Sequence, residues 1–205
     1  MKSKKKKSAT RRLPTQVRRA QILRAALDIM ATEGYSKFTL RNIAASSGIH
    51  FATLQYHFKT KNQLLEALIH WKLEEDHALL RKTVAHERGG ARERFCAGIR
   101  LVARENRKSN VVGFFLQLWA LAGHDKNAAR AMAELYSAYQ NWLAELVGIA
   151  QPGLDPVTLK LRALPIMAML EGMLPTMTLN MERRKPNPAE DQLLVDAAWV
   201  IATQA

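Results

Sequence analysis

Residues 39–58, TLRNIAASSGIHFATLQYHF, decide how this chain reads. Thr39 stands just ahead of the apolar spacing Leu40, Ile43, Ala44, where helix N-caps sit, because its hydroxyl can satisfy a free N–H of the first turn. Ser46-Ser47-Gly48 stops that helix, and Gly48 can take a positive φ without steric cost. Ile49 resumes the apolar pattern, and a third short helix runs through Leu54 to about His57. Two short helices joined by a tight glycine turn form the helix-turn-helix pattern. In that pattern the second helix lays its N-terminal face in the DNA major groove. Ile43, Ala44, Ile49 and Leu54 would supply the small core that locks the crossing. Plain helical packing leaves a similar trace.

Working outward, Ile22, Leu23, Ala26, Leu27 and Met30 line one face of a preceding helix, and Gly34 ends it as a C′ residue. Before it, residues 1–16 read as a disordered basic arm, a lysine run with Ser, Thr and Pro14 that has nothing to bury. After the motif, Lys59 to Asn62 make a turn, with Thr60 or Asn62 available to cap a long helix over 62–86. Breakers then separate helices at roughly 91–107, 110–123, 126–149, 157–181 and 188–204. Strand alternation persists nowhere. The expected fold is all-α, about nine helices. It comprises the arm (1–16), a three-helix DNA-binding domain (17–62, motif 39–58) and a helical effector-binding and dimerisation domain (63–205).

Charge follows the same division. The formal net charge is +13. The first 61 residues carry fourteen Lys/Arg against Asp28 and Glu33, leaving 17 bases against 16 acids in the other 144. A nucleic-acid-binding head on a near-neutral body produces such a split. The arm (Lys4 to Lys7) would add affinity by releasing counterions or by reaching a minor groove, unless it is only a solvated tail. The lone Cys96 allows neither an internal disulfide nor a cysteine-based zinc site. No apolar run follows the N-terminal lysines, so no signal peptide is read. The apolar stretch 163–181 is interrupted by Pro165, Glu171, Pro175 and Asn180, so no membrane partner is expected. A cytoplasmic, nucleoid-associated protein is the expectation. Glycine-rich phosphate loops, a nucleophile elbow and a His-Glu-x-x-His motif are all missing, so no catalytic residue, metal or cofactor is expected.

Residues 18–65 resemble the N-terminal domain of the TetR family of transcriptional repressors. The resemblance is carried in order by Glu33-Gly34-Tyr35, Phe38-Thr39-Leu40-Arg41, Ile43-Ala44, Ser47-Gly48-Ile49, Thr53-Leu54, Tyr56-His57-Phe58 and Lys59-Thr60-Lys61 before Leu64-Leu65. It covers about a quarter of the chain and weighs against plain packing. It implies that Thr39 and Arg41 lie at the DNA, Arg41 on a guanine or a phosphate. It places His50, Phe51, Ala52 and Thr53 at the start of the recognition helix. Tyr56 and His57 match paired aromatic positions that grip backbone and bases, and Lys61 a phosphate ligand. Phe51 would touch a thymine methyl or simply pack; His57 would contact DNA or lie partly buried. Gln55 departs from the family, which usually has Tyr there. Gln can read adenine or bond phosphate, so the target sequence need not follow the family.

The resemblance further implies a body that dimerises through its last two helices and holds a small-molecule pocket. The helix expected at 157–181 carries Leu161, Leu164, Ile166, Met167, Met169, Leu170, Met173, Leu174 and Met177, apolar nearly all round. With 188–204 (Leu193, Leu194, Ala197, Ala198, Ile201) from two copies it would build a four-helix interface, the alternative being intrachain core. Pocket candidates are Phe115, Trp119, Met132, Tyr136, Tyr139, Met169, Glu171 and Met173, joined by Phe114, Leu118, Leu135 and Trp142. Gln117, His124 and Glu171 would supply polar contacts. Glu171 is the sharpest, because a carboxylate among apolar residues needs a partner: a cationic ligand, Arg162, or an arginine across the dimer. The expected function is a repressor released from a palindromic double-stranded operator by an unknown small-molecule effector. The alternative is a non-specific or architectural DNA binder, which accounts for the charge but not for the neutral body.

Overall fold

The computed structural model describes residues 14–178 and 187–204, so nearly all of the expected basic arm and the end of the 157–181 helix lie outside the described residues. Among the described residues there are ten helices and no strand. They are α1 (Thr15–Thr32), α2 (Leu40–Ser46), α3 (Phe51–His57), α4 (Lys61–His86), α5 (Ala91–Glu105), α6 (Ser109–Ala122), α7 (Lys126–Ala150), α8 (Pro156–Glu171), α9 (Met173–Thr178) and α10 (Pro188–Thr203).

Local chemistry explains most boundaries. Thr39 Oγ1 accepts the Asn42 N–H at 3.2 Å and opens α2; Thr60 Oγ1 accepts the Gln63 N–H at 3.1 Å and opens α4. Asp125, Asp155 and Asn187 cap α7, α8 and α10 in the same way. Gly34 (φ +83°) and Gly48 (φ +66°) take the left-handed conformation where the chain leaves α1 and α2. Two expectations need correction. The third helix starts at Phe51, so Ile49 and His50 lie ahead of it. The single helix over 157–181 is divided at Gly172 into α8 and α9, raising the count from nine to ten. The break falls at Gly172, a poor helix former, with Pro175, which has no N–H to give the Glu171 carbonyl, one turn further on; Pro165, by contrast, is carried inside α8 without a break.

The core has two parts. One packs α1 to α4 against α6 and the start of α7, through Ile22, Met30, Phe38, Ile43, Leu54, Leu64, Phe114, Leu118 and Met132. The other packs α5, α7, α8 and α10, through Phe95, Ile99, Leu143, Val147, Ile166, Leu170, Val195 and Ala198. The N-terminal helices therefore share apolar core with the body. α1 and α6 meet in a close seam, where Gly113 lets the α1 backbone at Ala31 approach so closely that no Cβ fits between them.

Candidate nucleic-acid interface and internal cavity

The α2–α3 corner is fastened from within. Ile43, Ala44, Leu54 and Phe58 are buried and Ile49 is half-buried. Ser47 Oγ donates to the Ile43 carbonyl at 2.6 Å, and Gln21 Nε2 of α1 donates to the Ser47 carbonyl at 2.7 Å. With those side chains turned inward, Thr39, Arg41, His50, Ala52, Thr53, Gln55 and Tyr56 are left exposed. Tyr56 is 80% exposed, unusual for so large an aromatic side chain.

Three of the expected contact residues are more constrained. Phe51 is half-buried against the core, and the Arg41 guanidinium lies 5.6 Å from its ring centroid, so Phe51 both packs and supports Arg41. His57 is half-buried and stands edge-on to Tyr56, while its carbonyl accepts from Arg19 at 3.4 Å. Burial, then the charges of Arg19 and Arg18, push its pKa down. Lys61, the first residue of α4, folds back instead of projecting freely. Its ammonium donates to the Tyr35 carbonyl at 3.2 Å and sits 3.4 Å from the centroid of the Tyr35 ring. Burial lowers its pKa.

A cavity of about 60 Å³, continuous with a wider space of about 650 Å³ that includes solvent at its mouth, lies inside the body. α4 contributes Lys72, Leu73, Asp76, Leu79 and Leu80; α5 and its end contribute Leu101, Val102, Glu105 and Asn106. α6 gives Val111 and Phe115, α7 gives Leu135, Tyr139 and Trp142, and α8 gives Glu171. Of the expected pocket residues, Phe115, Tyr139 and Glu171 line this space, with Leu135 and Trp142. Met132 and Met173 are core, as are Phe114 and Leu118, and Met169 is half-buried against the second core. Trp119 and Tyr136 stand behind the wall, and His124 is exposed. Gln117 does not line the cavity; its Oε1 accepts the Tyr35 N–H at 3.1 Å. Arg162 donates to Gln151 and to the Ala202 carbonyl, not to Glu171.

The partner of Glu171 is instead a relay of hydroxyl and indole. Tyr136 donates to Glu171 Oε2 at 2.8 Å, and Trp119 Nε1 donates to the Tyr136 hydroxyl at 2.6 Å. Burial raises the Glu171 pKa, only partly opposed by the Tyr136 hydrogen bond, and no ion pair to Glu171 occurs among the described residues. The Tyr136 and Tyr139 hydroxyls are both pushed well above their ordinary values, first by burial and then by the Glu171 charge. The Tyr139 hydroxyl is buried with no hydrogen-bond partner among the described residues, Asn106 giving its own amide to the Leu170 carbonyl.

Sequence reasoning missed the polar side of this cavity. Lys72 is 9% exposed and pairs with Asp76 one turn along α4. Glu105 faces the same space while pairing with Lys108. The available signal was the charged pair Lys72 and Asp76, which interrupts the apolar run of Leu68, Ile69, Leu73 and Leu80 on a helix the sequence had already placed. Of the three carboxylates at the lining, Asp76 pairs with Lys72 and Glu105 with Lys108, so Glu171 alone has no ion pair among the described residues.

Elsewhere, α8 and α10 expose Val157, Leu161, Leu164, Leu193 and Val200, with Leu193 at 71%. These are the two helices expected at a dimer interface. No helix of the described residues is long and apolar enough to cross a membrane.

Comparison with known proteins agrees with this geometry. Residues 22–68 match the family model of bacterial regulatory proteins, tetR family, and residues 91–198, more than half of the chain, match that of the BetI-type transcriptional repressor, C-terminal. The tetracycline repressor protein class A from transposon 1721 of Escherichia coli is 35% identical over 63 residues. That match spans 31% of this chain and only 29% of the repressor's length. A transcriptional regulator from Pseudomonas aeruginosa has a similar structure (TM-score 0.76, 22% identity, 95% of this chain and 94% of that one). So does a regulator from Saccharomonospora viridis solved in complex with choline (TM-score 0.67, 21% identity, 89% and 95% covered). At these identities the structural likeness speaks for the fold.

Proposed function

The chain belongs to the tetR family of bacterial transcriptional regulators, and on that premise we propose that it is a homodimeric repressor released from a palindromic operator when an organic cation fills the cavity. The observation that carries the effector class is Glu171. Its carboxylate is largely buried, its pKa is raised, and its one hydrogen-bond donor among the described residues is the hydroxyl of Tyr136. A buried carboxylate without a counter-charge is costly. A bound cation would remove that cost, and the aromatic faces of Phe115, Tyr139 and Trp142 suit an alkylated ammonium. The choline held by the Saccharomonospora viridis regulator is an ion of this class.

The remaining roles follow the exposed chemistry. Arg41 and the start of α3, His50 to Thr53, read base edges together with Gln55. Thr39, Tyr56, His57 and Lys61 set the register on the backbone. Val157, Leu161, Leu164, Leu193 and Val200 meet their copies across a two-fold axis, burying a face that a monomer leaves in water. The cavity then acts on DNA by population shift. α6 supplies Val111 and Phe115 to its wall and packs on α1, so a ligand that fits one α6 position better biases the spacing of the two recognition helices. The protein works in the cytoplasm at the nucleoid, with no catalytic residue, metal or cofactor.

Fluorescence anisotropy on the DNA upstream of the chain's own gene tests this reading. Choline and dodecyltrimethylammonium are titrated into the complex formed by the parent and by Glu171→Gln. Release of the parent by at least one ion, with the variant unresponsive but still bound, is expected. No release by either ion defeats the cationic-effector reading. Equal affinity for a random duplex would favour an architectural DNA binder instead.

A further inference from the structure

Gln117 sits on α6 two residues beyond Phe115, which lines the cavity, yet its own side chain serves the other end of the molecule. Its Oε1 accepts the Tyr35 N–H at 3.1 Å. Gly34, just ahead of Tyr35, has φ +83°, and even a Cβ there would meet that same Oε1 only at ordinary contact distance, 3.4 Å, so the turn after α1 runs directly beside this amide. Tyr35 in turn holds Lys61, through its carbonyl at 3.2 Å and its ring face at 3.4 Å. The Tyr35 ring stacks on Phe38, which is fully buried, so this platform is anchored in the core. Three side chains from α6, the α1–α2 loop and α4 are thus connected in series.

The arrangement is unusual because of where Lys61 stands. It is the first residue of a 26-residue helix, the end at which the helix dipole disfavours a cation, and the first turn of α4 contains no acid to offset it. The Tyr35 carbonyl and ring are what hold an ammonium there. A lysine fixed in this way has lost much of its rotamer freedom before any anion arrives, which lowers the cost of meeting one.

We propose that Gln117 is a positioning residue for DNA binding: by fixing the Tyr35 peptide it holds the Lys61 ammonium where it meets a backbone phosphate, which makes that contact sensitive to the position of α6. This rests on the phosphate role given to Lys61 above, but not on the identity or existence of an effector. Any ligand or substitution that moves α6 relative to the α1–α2 loop weakens one phosphate contact per subunit, on every DNA sequence alike.

The test needs no effector. Binding to a random-sequence duplex of about 30 base pairs is measured by anisotropy between about 50 and 300 mM KCl, where each lost phosphate contact makes the slope of log K against log salt shallower by about 0.9. Lys61→Gln should give that change for each subunit bound. Gln117→Met, which keeps size but removes the acceptor, should shift the slope in the same direction and speed exchange of the Tyr35 amide. In the Lys61→Gln background it should do nothing further. Gln117→Glu, which can still accept the Tyr35 N–H, should restore the parent slope. Gln117→Asn, too short to reach, replaces Gln117→Met if the latter does not fold. A parent-like slope in Gln117→Met, or an undiminished effect in the Lys61→Gln background, overturns the proposal. An unchanged slope in Lys61→Gln alone removes both the phosphate role of Lys61 and the proposal, and leaves the cavity reading intact.

Discussion

Replacing Gly113 by alanine places one methyl group at the seam on which the two parts of the molecule meet. An ideal Cβ at Gly113 would lie 2.3 Å from the Ala31 carbonyl oxygen and 3.1 Å from the Ala31 Cα and carbonyl carbon. Ordinary contact begins near 3.4 Å, so α1 and α6 must part by about 1 Å. The obstacle is backbone on both sides, and no rotamer change relieves it. Overpacking of this kind costs about 2–3 kcal/mol, from which about 1 kcal/mol is returned by the better helix propensity of alanine. The net loss is about 1–2 kcal/mol, or about 2–8 °C in Tm for a chain of this size. Thermal melts followed by circular dichroism at one fixed protein concentration measure it. Gly148→Ala is the control, because a Cβ there lies 3.7 Å from the nearest atom, a flexible Leu159 methyl. It should raise Tm by about 1–4 °C through propensity alone. If Gly113→Ala melts as high as Gly148→Ala, the seam is not close-packed and α6 is not held in register against α1.

Three further outcomes follow from the site. The raised pKa of Glu171 means that, between its ordinary and its raised value, the folded chain holds a proton that the unfolded chain has lost, so stability falls as pH rises through that window. Glu171→Gln should reduce this slope and melt above the parent at pH 7; identical melting profiles from pH 5 to pH 7 would mean that the carboxylate is not strained by burial. Leu161→Glu combined with Leu193→Glu should leave the fold intact, since both side chains are exposed, but give a monomer by sedimentation; a persisting dimer would place the interface elsewhere. Arg41→Ala should cost about 1–3 kcal/mol of discrimination at one base pair of each half-site. Operators with single base changes measure this, and a uniform loss over all sequences would assign Arg41 to phosphate.

The DNA-binding corner was legible because its determinants are local. Thr39 and Thr60 cap the helices they precede, and Gly34 and Gly48 take the positive φ that their turns need. Ile43, Ala44 and Leu54 go inward at helical spacing, which by subtraction leaves the neighbouring polar side chains outside. The cavity was legible only in part. An aromatic stripe at helical spacing looks the same whether it faces a void or another helix. Phe115 and Tyr139 could therefore not be told from Phe114 and Met132 until the helices were placed.

What the sequence determined by itself is an all-helical chain with a basic head, most of its helix boundaries to within a few residues though not the break at Gly172, and Glu171 as a carboxylate in need of an explanation. Each of these depends on composition or on neighbours within about one helical turn. The tertiary structure alone decided which side chains share a space: Tyr136 and Trp119 behind Glu171, Lys72 with Asp76 on the cavity wall, and Gln117 holding Tyr35 under Lys61. Those pairings join residues far apart in the chain or depend on which face of a helix is covered. Helix packing sets both, and a pattern of spacings along one strand of sequence does not.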